Sequence, residues 1–214
     1  MKKFRFLLLT KSYKDSGYCV AGINLDENKF VRLVASTDLE FAFIPRTYID
    51  TFPAIEYLDI LEIEPIKAVP FGCQTENILV DINSRPAKIG RANLTEIFRF
   101  VSSEQKILGN AKRILHSSQV ERLKYSLGLY IVDNLKIICY FDEDNNKYIN
   151  QCEFLYKDIL YTQVALTDPI YRNVKNNEKV LSKAAIVVSL PPLPFKDGDF
   201  YYKFVAKIFD LTNY

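Results

Sequence analysis

YCVAGINLDENKFVRLV, residues 18–34, reads as strand, turn and returning strand. Tyr18 to Asn24 is rich in apolar and β-branched residues, and Asp26-Glu27-Asn28 supplies the turn. Phe30 to Ala35 then alternates, with Phe30, Arg32 and Val34 on one face and Val31, Leu33 and Ala35 on the other. Working outward, Phe4 to Thr10 is an apolar run suited to a buried strand, and Lys11 to Ser16 reads as a polar loop. Tyr57 to Ile66 alternates again, and Ile78 to Ile82 is a further candidate. Short strands this closely spaced suit a small closed or partly open barrel, which hides most sheet edges. This predicts a first barrel over residues 1–90.

The middle changes period. Leu94, Ile97, Phe98 and Val101 recur at helical spacing, as do Ile107, Leu108, Ala111, Ile114 and Leu115. Asn93 and Ser103 stand at N-cap positions. The spacing predicts a helical bridge over 91–125. From Ser126 the strand signature resumes in Gly128–Val132, Lys136–Phe141, Tyr148–Tyr156, Ile159–Leu166, Ala184–Leu190 and Tyr202–Phe209. That makes 126–214 a second barrel. The expected class is mainly β with a few short helices, as two small barrels packed in tandem. Ser36-Thr37-Asp38 after one strand is faintly echoed by Leu166-Thr167-Asp168 after another.

Composition agrees. Of 214 residues, 49% are hydrophobic and 25% charged, which excludes a disordered chain. The abundance of Phe and Tyr favours strands. Net charge is only +2, but Arg85 to Lys124 holds nine Lys/Arg against three Asp/Glu, whereas Asp38 to Glu64 holds seven acids and one Arg. Such segregation can set a basic surface beside an acidic one. Cys19, Cys73, Cys139 and Cys152 are far apart and form no C-x-x-C pair, so reduced thiols are expected and no metal. The start, MKKFRFLLLTK, has too short an apolar run for a signal peptide. A soluble, cytoplasmic protein without membrane segments is expected.

Catalysis finds little footing. No phosphate-binding glycine loop, dinucleotide fingerprint, metalloprotease helix or nucleophile elbow is present. His116, the only histidine, falls near an expected helix end, where it suits the helix dipole. Asp59, Glu62 and Glu64 with Lys67 are the nearest approach to a metal-nuclease cluster, but Asp59 should face away from the two glutamates. No catalytic residue and no cofactor are assigned.

Binding needs exposed cations for phosphates and aromatic or guanidinium planes for bases. Phe30 and Arg32 would form such a platform if exposed, beside Tyr18, Lys11 and Lys14. The alternative is that Phe30 is core and Arg32 pairs with a nearby acid such as Asp38. Gln74-Thr75-Glu76-Asn77 and Thr167-Asp168-Pro169 are polar motifs that could equally cap local turns. Lys203 and Lys207 lie with Tyr201 as a basic-aromatic stripe.

Lys11-Ser12, then Cys19-Val20-Ala21-Gly22-Ile23, then Val31-Arg32-Leu33-Val34, resemble the N-terminal signature of the prokaryotic dual OB-containing domain family. Gln74 with Glu76-Asn77, Ser126-Leu127, Thr167-Asp168-Pro169, Ser189-Leu190 and Tyr202-Lys203-Phe204-Val205-Ala206 continue the likeness in order. Phe30 stands where similar sequences tend to have Trp, and the turn Asp26 to Lys29 is poor in Gly. The resemblance implies two OB-like β-barrels and a nucleic-acid-binding module, often linked to bacterial conflict systems. It supplies no catalytic residues.

The expectation is therefore a non-catalytic module binding single-stranded or structured nucleic acid through backbone charge and stacking. Lys11, Arg32, Gln74, Asn77 and Lys203 are its polar contacts, with Tyr18 and Phe30 stacking. A protein-interaction subunit is the first alternative, and a carboxylate-metal nuclease the second.

Overall fold

The computed structural model describes residues 2–14, 17–38, 42–50, 54–171, 174 and 177–214. The chain divides into two compact units, 1–100 and 101–214. In the first, the strands are β1 (Phe4–Lys14), β2 (Gly17–Asn24), β3 (Lys29–Val34), β4 (Ile44–Pro45), β5 (Asp59–Ile63), β6 (Pro65–Ala68), β7 (Asn77–Val80) and β8 (Ala87–Arg91). β1 pairs antiparallel with both β2 and β5, and β2 with β3. β3 pairs parallel with β7, which pairs antiparallel with β6.

β5 and β6 are successive halves of one extended segment broken at Glu64. Pro65, which lacks an N–H for the ladder, opens the second half. Chain continuity across that break completes a circuit of first, second, third, fifth and fourth strands. The interior is filled from alternate positions: Phe4, Phe6 and Leu8 of β1, Val20 of β2, Val31 and Leu33 of β3, Leu61 and Ile63 of β5. A short helix, α1 (Arg46–Ile49), adds Tyr48 and Ile49 to the same core.

The second unit has β9 (Ile114–His116), β10 (Leu127–Asp142), β11 (Lys147–Tyr156), β12 (Ile159–Leu166), β13 (Asn177–Ser189), β14 (Phe200–Tyr202) and β15 (Phe204–Asp210), with a helical turn α2 (Ser117–Val120). Here the closed barrel β10-β11-β12-β15-β13 repeats the circuit of the first unit. Its one parallel pairing, β12 with β15, again joins third and fifth strands. This closed Greek-key order is that of an OB barrel, so the protein is mainly β and built of two OB-like barrels.

Several local expectations are corrected. Lys11 to Lys14 is strand rather than loop, because pairing continues through Lys11↔Val20, Ser12↔Cys19 and Tyr13↔Tyr18. The expected strands at 128–132 and 136–141 are one strand, β10. Asp133-Asn134 looks like a turn but is a bulge, with Asn134 at φ 52 and a register shift between Asp133 and Lys136. The expected helices are 3₁₀ segments, Leu94–Phe100 and Ile107–Gly109, and Ile114 and Leu115 belong to β9. Leu108 at φ 44 and Gly109 at φ 83 stop any helix from continuing there. No helix of the described residues is long and apolar enough to cross a membrane.

Candidate nucleic-acid interface

Lys11 and Tyr18 meet toward the Lys14↔Gly17 end of the β1–β2 pairing, in the first unit. Lys11 Nζ donates to Asp50 Oδ1 at 3.1 Å and to the Ile55 carbonyl at 3.0 Å. The Tyr18 hydroxyl donates to Asp50 Oδ2 at 2.5 Å. Burial, and then this bond to Asp50, hold the Tyr18 phenol above its ordinary pKa. The exposed Arg46 of α1 adds a second cation, its guanidinium 4.9 Å from the Tyr13 ring centroid. Tyr13 in turn leans on Tyr18, ring centroids 5.3 Å apart. Of this cluster, Tyr13, Arg46 and Asp50 were not singled out from the sequence. Only the strand register and α1 bring them together. Lys14, expected beside them, has no described side chain.

Arg32, Gln74 and Asn77 also converge, but inward, which corrects the expected Phe30–Arg32 platform. Arg32 is 8% exposed. Its Nη2 lies 3.4 Å from Glu76 Oε1, and its N–H donates to the Glu76 carbonyl at 3.0 Å. Parallel pairing of β3 with β7 sets Arg32 opposite Asn77, so the cation meets Glu76 and is turned from solvent. Asn77 Nδ2 donates to Gln74 Oε1 at 3.2 Å, and both residues are buried. These groups staple the loop between β6 and β7 onto β3. Beside them, burial, then the Glu76 charge, push the Cys73 thiol up to about 11. Phe30 is half-buried, and Ala21 and Ile23 on the outer side of β2 are buried too.

Lys203 belongs to the second unit and is 1% exposed, so it forms no surface stripe with Lys207, which is buried as well. Lys203 Nζ donates to the Asn110 carbonyl and to Asn110 Oδ1, each at 2.8 Å, and lies 5.1 Å from the Tyr161 ring centroid. Tyr161 itself donates to the Asn110 carbonyl at 2.9 Å. Burial pulls the Lys203 ammonium down to about 7. Lys207 Nζ donates to the buried Asp168 at 2.9 Å, and Asp168 also accepts the N–H of Ile208 at 3.1 Å.

What this buried network supports is exposed. β9 and β14 form a two-stranded ribbon, with Phe200↔His116 and Tyr202↔Ile114 paired. Phe195 is 57% exposed and Phe200 46%. Phe195 meets Tyr202 edge-on at 5.4 Å, and Phe200 meets His116 edge-on at 5.6 Å. Cations lie over the same rings: Arg113 5.8 Å from the Tyr202 centroid and Lys196 5.3 Å from that of Phe195. Most of this surface lies in the connection from fourth to fifth strand, a loop that OB barrels use for oligonucleotides. On β12, Leu160, Thr162 and Gln163 are exposed as well.

Comparison with known families bears on the same span: the model of the dual OB-containing domain matches residues 4–208. The chain belongs to this family. No curated protein matches it. For a dual OB-containing domain, the sequence reading missed the ribbon. β9 is short, and the Pro-rich approach to β14 reads as a connector. The signal that could have found it is the spacing of Phe195, Phe200 and Tyr202 through a Gly- and Pro-punctuated loop.

The remaining dual OB residues weighed for chemistry are engaged structurally. Asp59 is buried and held by Lys88 at 2.8 Å and Arg91 at 3.1 Å, while Glu62 and Glu64 face outward toward Lys3. Among the described residues no three His, Cys, Asp or Glu side chains gather to hold a metal. His116 stands at the start of α2 rather than at a helix end, its Nδ1 accepting the Ser118 N–H at 3.3 Å.

Proposed function

We propose that this dual OB-containing domain is a non-catalytic nucleic-acid-binding module that works through backbone charge and base stacking. The observation that carries the reading is the aromatic cluster at the ribbon of the second barrel, the exposed Phe195 and Phe200 with the half-buried Tyr202, and Arg113 and Lys196 over the Tyr202 and Phe195 rings. Large rings in solvent are costly unless a partner uses them, and flanking cations suit a polyanion. The Tyr13–Arg46 corner of the first barrel, supported by Lys11 and Tyr18, is a second place of the same chemistry. Arg32, Gln74, Asn77 and Lys203 serve the reading by holding loops in place, and Phe30 sits at the edge of the first of these staples. The bacterial conflict systems that the family resemblance implies are where the ligand is to be sought.

The test is binding of the full chain to labelled single- and double-stranded DNA and RNA across a salt series. Affinity should fall as salt rises. No binding even at low salt would overturn the reading. That result would favour a protein-interaction role through β8, an edge strand with Ile89 51% exposed.

A further inference from the structure

We propose that the β9–β14 ribbon is a single-strand site, in which Phe195 and Phe200 each receive an unpaired base while Arg113 and Lys196 hold the adjoining phosphates. The inference rests on the nucleic-acid reading above and names the form of ligand that this surface accepts.

Both rings are phenylalanine, with no polar handle that would give an exposed side chain a partner in water. Each is propped at a steep angle by its neighbour, 74° for Phe195 on Tyr202 and 82° for Phe200 on His116. Such edge contacts leave ring surface open, in keeping with the exposure of both. The support is tied by local bonds. Pro191, Pro192 and Pro194 stiffen the approach, and the Gly198 N–H closes a turn on the Phe195 carbonyl at 3.1 Å. Ser117 fastens α2 to the ribbon through its N–H and hydroxyl, which donate to the Asp199 carbonyl at 2.8 and 3.1 Å. Lys196 is held at φ 50, a left-handed conformation that a lysine adopts at a cost, and its ammonium lies beside Phe195. Arg113 is braced from the other side by the Gln163 carbonyl at 3.3 Å. A platform ordered in advance loses little entropy when a base settles on it.

The charge balance selects the ligand. Among the described residues two cations, Arg113 and Lys196, lie over these rings, too few to hold a duplex by its phosphates alone. A duplex also keeps its base faces stacked inside, where Phe195 and Phe200 cannot reach them. An unpaired strand offers both a π-face for each ring and one phosphate for each cation. Binding there should lean on stacking and only lightly on salt.

The experiment uses the full chain with labelled single strands of about 12 nucleotides, DNA and RNA, and the matching duplexes. Single strands should bind at least about tenfold more tightly than duplex. Phe195→Ala and Phe200→Ala should each weaken single-strand binding about tenfold, and the pair about a hundredfold, whereas tyrosine at either position preserves it. The logarithmic salt slope should lie between about −1 and −2, and move toward zero in Arg113→Gln with Lys196→Gln. Single-strand binding that survives the double alanine variant unchanged overturns the site while leaving the proposed function standing. So does a preference for duplex. Absence of any binding by the unaltered chain overturns both. Capture of an apolar protein partner by the ribbon, lost with the same alanines and without nucleic-acid binding, would mark a protein-docking surface instead.

Discussion

The Lys203 ammonium sits where water does not reach, between two oxygens of Asn110 and the face of Tyr161. None of these partners carries a full charge, which is why burial dominates and brings the group down to about 7 from an ordinary 10.5. Between those two values the unfolded chain holds a proton that the folded chain has released. Raising the pH through this window therefore favours the fold, by at most about 1.4 kcal/mol per pH unit. Below it both states are protonated and the contribution is flat. Lys203→Met should abolish the slope, so urea unfolding at several pH values should show the native chain gaining on the variant as pH rises above neutral. Parallel curves for the two proteins would refute the assignment. Asp168 makes the opposite case, an acid with its cation supplied. Removing Lys207 strands a buried carboxylate and should cost about 3–5 kcal/mol. Asp168→Ala should cost at least as much, because it also orphans the Ile208 N–H, and thermal unfolding of both variants checks the order.

At the level of elements, the parallel pairing of third and fifth strands is the joint of each barrel, and each joint carries a buried ion pair of opposite polarity. In the first barrel the cation, Arg32, is on the third strand and the acid, Glu76, leads into the fifth. In the second the acid, Asp168, follows the third strand and the cation, Lys207, is on the fifth. The faint echo of Ser36-Thr37-Asp38 in Thr167-Asp168 thus falls at equivalent places in the two circuits. Strands facing a core were legible because an apolar run, as from Phe4 to Thr10, or an alternation, as in Val31 and Leu33, survives in their composition. The strand, turn and strand of residues 18–34 were therefore readable to within a residue at their ends. β8 was not, since Ala87-Lys88-Ile89-Gly90-Arg91 lies on an edge and has no buried face to betray it. Nor could alternation tell whether the outer side of a strand meets water, which is why Arg32 could be placed on a face but not in solvent. Gly22 marks another such contact. A Cβ there would stand 2.0 Å from the Leu7 carbonyl oxygen, close to the bulge of β1. Gly22→Ala should therefore destabilise by about 1–3 kcal/mol, read in chemical denaturation. An unchanged midpoint would mean that β1 and β2 separate there without cost.

Across the whole molecule, the basic stretch from Arg85 to Lys124 is divided between the two units and partly neutralised within the first. Lys88 and Arg91 both bind the buried Asp59, and Arg91 also reaches Glu56 at 2.6 Å. Their charges serve the β5–β8 pairing and add little to an outward field. Arg113, farther along the same stretch, bonds only a carbonyl among the described residues and lies over a ring, so its charge remains available to a phosphate. Local charge in the sequence was thus a poor map of outward charge, because pairing with distant acids is invisible before folding. The two groups separate in one comparison. Lys88→Met together with Arg91→Met leaves Asp59 buried without either cation and should lower stability by about 3–5 kcal/mol. At a temperature where this variant remains folded, its affinity for single-stranded nucleic acid should match that of the native chain. Arg113→Gln should do the reverse, weakening binding while unfolding at nearly the native temperature. Should the Lys88 and Arg91 variant lose affinity in proportion to its lost charge, the phosphate path would run along the β8 edge of the first barrel rather than the ribbon of the second.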